Sequence, residues 1–363
     1  MNRKILIAAV VVIALLVAVG ITVWYKLYRD VRQPGWITTD ARSNFLYGSI
    51  GTESAAGIPY WIWLALLRMF PEYLPGPGGY ASLGFSWEEG TEMPVGFSKK
   101  IVGYVRVAGN CALCHAASYR KTPEDVPTVT ESRPGRKVNA ERLLSFYTQC
   151  AKDPRFNAGD ILAEVAMATK LSLLDRLLYR FVLIPGTRKA ILDGRPVLID
   201  AALRDHSRNP QSGTHFTRKP EQAQESRLKQ CKAPAYPLAV DATLASAGKQ
   251  IFAQHCNSCH AAEPAGKSLN GIWLRGPYLQ NGSVPTVRDL LAPVEQRPRT
   301  FYSGNDLINF RDVGFLSTEA TDMGRQFLFY DTAKPGNGNS GHVYGTNLPA
   351  SDKAALLEYL KTF

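Results

Sequence analysis

Apolar positions fall into distinct patterns along the chain. Residues 5–25 carry no charge and are almost wholly apolar. At about 1.5 Å per residue this run of 21 reaches roughly 31 Å, the thickness of a bilayer core. It predicts a membrane-spanning helix. A cleaved signal peptide is the rival, but its apolar stretch is shorter and ends at small residues. Here the run continues through Ile21, Val23, Trp24 and Tyr25, with the two aromatics suited to the membrane interface, so a retained anchor is favoured. Residues 58–69 (IPYWIWLALLRM) are apolar but too short to span, and predict a short buried or membrane-adjacent helix. Residues 101–107 alternate in part and predict a strand.

Further on, the period lengthens. Residues 140–151 and 158–180 predict helices, the second with Ile161, Val165, Leu171, Leu174, Leu177 and Leu178 at helical spacing and with Pro185 and Gly186 ending the run. Residues 204–237 lose all apolar period and contain Asn209-Pro210, Gly213, Pro220 and Pro234, the composition of a linker. Residues 244–255 predict a helix with Gly248 and Phe252 on one face. Residues 351–363 predict another, with Ser351 as N-cap and Leu356, Leu357, Tyr359 and Leu360 as its apolar positions. The expected division is 1–32 anchor and juxtamembrane segment, 33–203 first domain, 204–237 linker and 238–363 second domain.

Two short segments carry the chemistry. Cys256-Asn257-Ser258-Cys259-His260 is a Cys-x-x-Cys-His pentapeptide, and Cys111-Ala112-Leu113-Cys114-His115 repeats it. This is the attachment pattern of a c-type haem: the thiols add across the vinyl groups and the histidine binds the iron from one face. Four of the six cysteines are thus used in two identical units. A redox dithiol is disfavoured because no βαβ pattern surrounds either copy, and zinc because no further Cys or His stands at finger spacing. The expected cofactors are two covalently bound haem c groups. The expected fold is mostly α, an N-terminal transmembrane helix followed by two haem domains. The second of these resembles a class I cytochrome c, in which Gly248 and Phe252 on one helix pack against Tyr359 on the last. No helix of the usual cytochrome type precedes Cys111. Haem c is attached outside the cytoplasmic membrane, so the globular part is expected in the periplasm on a single-pass anchor. Cys150 and Cys231 are left over as a disulfide pair or as two separate thiols.

Charge adds a partner class. The formal net charge is +11, and the propionates of two ferric haems remove about two units. A basic surface suits an acidic periplasmic redox protein, a respiratory complex or an anionic membrane face; nothing points to nucleic acid. Each iron takes a second axial ligand unless its site is catalytic. Candidates are His206, His215, His255 and His342, and Met69, Met93, Met167 and Met323. Met323 stands about where many cytochromes supply a ligand, and His342 follows the small, flexible run Asn339-Ser340-Gly341.

Four strings resemble the rubber-oxygenase-like di-haem cytochromes c, relatives of bacterial di-haem peroxidases. They are residues 84–114, 158–192 with LLYRFVLIP, 274–304 with the Asn281–Pro285 turn and Arg297-Pro298, and 329–348 with Gly341-His342-Val343-Tyr344-Gly345-Thr346. The resemblance implies that His342 is the second ligand of the C-terminal haem and that the first haem has an open face for dioxygen. The chain is shortened relative to that pattern after residue 192 and at 261–269, segments that help build the pocket over the first haem. The trimmed chain is therefore read first as an electron carrier, with an oxygenase or peroxidase as the alternative. His206 or His215 is expected to close the first haem.

Overall fold

The computed structural model describes residues 3–131, 140–194, 233–260 and 269–363. Helix makes up about 47% of it, with short strands between.

The N-terminal run forms one helix, Arg3–Tyr28. Its apolar part, Ile5–Tyr28, has mean hydropathy 3.1, and none of it is buried within the protein. It is long and apolar enough to cross a membrane. The helix leads into a small antiparallel sheet of β1 (Asp30–Val31), β2 (Ile58–Pro59), β3 (Phe97–Val102) and β4 (Tyr104–Gly109), in the order β1-β3-β4-β2. The single strand expected over 101–107 is thus the middle of a hairpin. The chain reverses at Gly103, with φ +71°. Only glycine fits: a Cβ there would lie 2.1 Å from the Leu27 carbonyl oxygen. Gly103 N–H donates to the Arg29 carbonyl at 2.6 Å, and Arg29 Nε donates back to the Gly103 carbonyl at 3.1 Å. The hairpin turn therefore clamps the base of the long helix, and Lys26 adds an ion pair with Asp175 at 2.6 Å.

Residues 58–69 divide into β2 and the helix Tyr60–Met69, which buries Ile62, Trp63, Ala65 and Leu66. The helix is a core element. Trp63 stacks on Tyr80 at 4.1 Å between ring centroids and donates Nε1 to Tyr147 Oη at 3.0 Å, so its one polar atom is satisfied. Helices Ala140–Lys152 and Ala158–Ala168 close this first core, the latter capped by the Asn157 side chain. The run expected as one helix over 158–180 breaks after Ala168 and restarts at Ser172, whose side chain accepts from Asp175 N–H. Pro185 and Gly186 do not end it. A π turn at Tyr179–Leu183 leads directly into the helix Ile184–Leu192, and Pro185 sits in the first turn of that segment, where a missing N–H costs little.

In the C-terminal part the helix Ala242–His255 crosses the helix Ala350–Leu360. A Cβ on Gly248 would lie 2.0 Å from the Ala355 carbonyl oxygen, so the backbones touch there. Phe252 packs edge-on to Tyr359 at 5.4 Å, the expected crossing. Ser351 is not the cap: the helix starts at Ala350 behind Pro349, and Ser351 Oγ bonds Asp352 instead. A fixed proline φ already suits the entry, so no side-chain cap is needed. Trp273, Val284, Val287, Ile308, Val313, Leu356 and Leu357 fill this second core.

One segment ties the two cores together. After the first Cys-x-x-Cys-His copy the chain forms β5 (Ala116–Tyr119), paired with β6 (Thr128–Glu131). Ala117 and Tyr119 pack into the second core. Arg120 is 1% exposed. It donates Nε to Asp306 at 2.7 Å and Nη1 to the Pro123 carbonyl at 2.7 Å, and it also pairs with Asp322. Arg325 shares Asp306 at 2.8 Å. A buried guanidinium is tolerable only when paired in this way.

Candidate functional site

The first motif is held by what precedes it. Strand β4 ends at Gly109, and Asn110 follows, 5% exposed. Its Oδ1 accepts the Ala112 N–H at 2.9 Å, while its Nδ2 donates to the carbonyls of Leu46 and Gly48 at 3.2 and 3.1 Å. Both donors and the oxygen of one amide thus hold the turn Ala112–His115 against the end of the helix Ala41–Tyr47. Cys114 and His115 lie within that turn, and Cys111 stands before it, half-buried against the first core. A Cβ on Gly96 would lie 2.4 Å from Leu113 Cα, so the backbone just before β3 also presses on the motif. Asn110 was not among the candidate residues. Its signal was present, an asparagine at the entry to a short helix. His206, His215 and Cys231 lie outside the described residues, and Cys150 is fully buried in the first core.

The second motif begins where the helix Ala242–His255 ends. Cys256 is its C-cap and is half-buried against the second core, and Asn257–His260 forms one further turn with Cys259 exposed. Burial and the neighbouring Cys259 push the Cys256 thiol above its usual value. His255 is exposed at the helix end.

His342 comes to this motif from 82 residues downstream. The His260 and His342 rings stand 6.5 Å apart between centroids. A first-row metal binds imidazole at about 2.0 Å, so two rings sharing one ion from opposite sides need centroids roughly 6.3 Å apart. The spacing suits an iron between them. His342 takes a left-handed conformation, φ +55°, which an isolated non-glycine residue adopts only where its surroundings impose it. Burial, with His260 and Arg297 nearby, holds its pKa below the ordinary value, so the imidazole is neutral and its lone pair available.

Arg297 imposes that conformation. Its side chain is almost wholly buried. Nη1 donates to the carbonyls of Asn339 and Gly341, Nη2 to those of His342 at 2.9 Å and Leu290 at 3.1 Å, and Nε to that of Ala292 at 3.2 Å. Asn281 Nδ2 and Ser283 Oγ anchor the same loop at the Gly338 carbonyl, at 2.8 and 3.0 Å. Sequence reasoning noted Arg297-Pro298 within a string but not its task; nothing local reveals which carbonyls a distant arginine will meet.

Met323 is not at this site. It occupies the turn of a two-residue hairpin, β7 (Thr321–Asp322) with β8 (Arg325–Gln326), is exposed, and accepts from Arg120 Nη1 at 3.1 Å through its sulfur. Trp273, fully buried, lies edge-on to Tyr119 at 5.2 Å and to Tyr236 at 5.5 Å. Trp273 Nε1 and His342 Nδ1 are buried polar atoms without a hydrogen-bond partner among the described residues. Native interiors rarely leave such atoms unpaired, and the unpaired His342 Nδ1 belongs to the ring that lies 6.5 Å from that of His260.

Sequence comparison finds a cytochrome c-like domain, and such a domain implies covalently bound haem c. Residues 265–302 match the family described as RoxA-like, cytochrome c-like. Two proteins of Sinorhizobium fredii (strain NBRC 101917 / NGR234) are similar in part. The uncharacterized protein y4iJ is 44% identical over 105 residues, 26% of this chain and 17% of that protein. The uncharacterized protein y4iM is 34% identical over 96 residues, 25% of this chain and 22% of that protein. The chain thus spans less than a quarter of the length of either relative. No solved structure matches it.

Proposed function

We propose that this chain is a membrane-anchored, periplasmic di-haem c-type cytochrome that passes electrons between redox partners. The observation that carries the reading is the pairing of His260 with His342 beside one of two Cys-x-x-Cys-His segments. Cys111 and Cys114 would hold the first haem and Cys256 and Cys259 the second, with His115, His260 and His342 as iron ligands. Bound haem supplies one-electron chemistry at its iron. His260 and His342 would both serve the second haem iron, leaving it no exchangeable ligand, and Arg297 would hold His342 in place. Such a site suits electron exchange, and the carrier reading further requires that the first haem be closed as well. The basic charge of +11 favours an acidic redox protein or a respiratory complex as partner.

The test is a haem count with absorption and electron paramagnetic resonance spectra of the purified full chain. Two haems per chain are expected, the second low-spin with two histidines. His342→Ala should turn one haem high-spin, and Met323→Ala should change neither. A single haem per chain, or low-spin spectra that survive His342→Ala and not Met323→Ala, would overturn the assignment.

A further inference from the structure

The helical segment that follows Ser172 has two apolar faces, and only one is used by the fold. Leu178, Tyr179, Leu183 and Ile184 are buried in the first core. On the other side Leu173, Leu177 and Phe181 recur every four residues and are 77%, 46% and 68% exposed. Three large apolar side chains in a row, with Val182 also exposed beside them, are unusual for water-facing helix. Arg176 and Arg180 are exposed between them, and Arg180 lies over the Phe181 ring at 5.9 Å.

The place of this ridge decides what covers it. Asp175, inside its first turn, holds Lys26 at the base of the long apolar helix at 2.6 Å, and also accepts from Tyr104 Oη at 3.0 Å. The ridge is therefore fixed beside the point where the apolar helix leaves the globular part. A bilayer around residues 5–25 would have its headgroup layer at this level, with Trp24 and Tyr25 in it.

We infer that Leu173, Leu177 and Phe181 form a second membrane contact, inserted into the outer headgroup layer beside the anchor, with Arg176 and Arg180 on anionic lipid phosphates. The inference rests on the reading that the N-terminal helix crosses a bilayer. Side chains of this type enter about 5–10 Å into the headgroup and acyl boundary, and flanking arginines add attraction to anionic lipid. The contact gives the globular part a fixed face toward the membrane.

The test uses the full haem-loaded chain in nanodiscs of phosphatidylcholine and phosphatidylglycerol, one chain per disc, in a Cys231→Ser background. An environment-sensitive fluorophore is placed at Leu177→Cys or Phe181→Cys, with Val12→Cys as a site inside the anchor and Phe310→Cys as an exposed site in the C-terminal part. Lipids carrying a nitroxide near the headgroup, or deeper in the chain for the Val12 site, serve as quencher. The ridge sites and the Val12 site should be quenched, and the Phe310 site should not. Arg176→Glu with Arg180→Glu should reduce ridge quenching in anionic discs. If Val12 is quenched and the ridge behaves like Phe310, the docking face is refuted while the anchor stands. If neither is quenched, the anchor reading fails and the docking face with it.

Discussion

Replacing Arg297 by Met removes the cation that holds the His342 loop while keeping an apolar stem of similar length. The guanidinium gives five hydrogen bonds to main-chain carbonyls, three of them at Asn339, Gly341 and His342. A bond from a charged donor contributes about 1.5–3 kcal/mol, and a neutral one about 1. These five are not additive, because they share one side chain and its burial already costs energy. Asn339 and Gly341 are also open enough for water to replace part of what is lost. The net destabilisation should be about 3–4 kcal/mol, at the upper end for a single substitution. Urea unfolding of the full chain, followed by far-ultraviolet circular dichroism, measures it. The second readout is specific to the site. With its loop released, His342 loses its imposed positive φ, and the low-spin spectrum assigned to the second haem should become a mixture with high-spin. Loss of less than about 1 kcal/mol with an unchanged low-spin spectrum would refute both the energetic argument and the positioning role.

Gly248→Ala should destabilise the C-terminal part. The new methyl would sit 2.0 Å from the Ala355 carbonyl oxygen, and the overpacking cost of about 1–3 kcal/mol should exceed the gain of about 1 kcal/mol in helix propensity. A melting temperature equal to or above that of the parent would refute it. Acid should loosen the base of the long helix. Burial opposes ionisation of Asp175, but donors on Lys26, Ser172 and Tyr104 hold its carboxyl below the ordinary range. The contact is thus complete above about pH 4, the unfolded value, and is lost as the pH falls through the lower folded value; spin-label distances between residues 22 and 177 should be flat from pH 8 to 5 and lengthen only below. Carbon monoxide added to the reduced protein and cyanide to the oxidised protein should bind neither haem quickly; fast stoichiometric binding to one haem would favour an oxygenase or peroxidase over a carrier.

What the sequence revealed depended on how local each cause was. The crossing of the two C-terminal helices was legible because Gly248, Phe252 and Tyr359 lie on periodic faces and their sizes alone determine the contact. The hairpin around Gly103 was hidden inside a run that reads as one strand, since its reason is the carbonyl of Leu27, far away in sequence. The continuation past Pro185 depended on a π turn that periodicity cannot register. Met323 looked like a ligand by position, but Arg120 claims its sulfur. His342 was reachable by resemblance, whereas Arg297, which holds it, acts through main-chain atoms that leave no trace in side-chain pattern.

The bond from Arg120 to Asp306 spans 186 residues. At about 5–20 residues per second of synthesis, its two ends emerge roughly ten to forty seconds apart. Throughout that interval β5 has no second core to join, and its charged neighbour Arg120 has no carboxylate to bury against. The peptide from Cys111 to His115 therefore leaves the ribosome attached to an unfinished flank. That flank is complete only once Asp306 and Asp322 arrive to pair with Arg120.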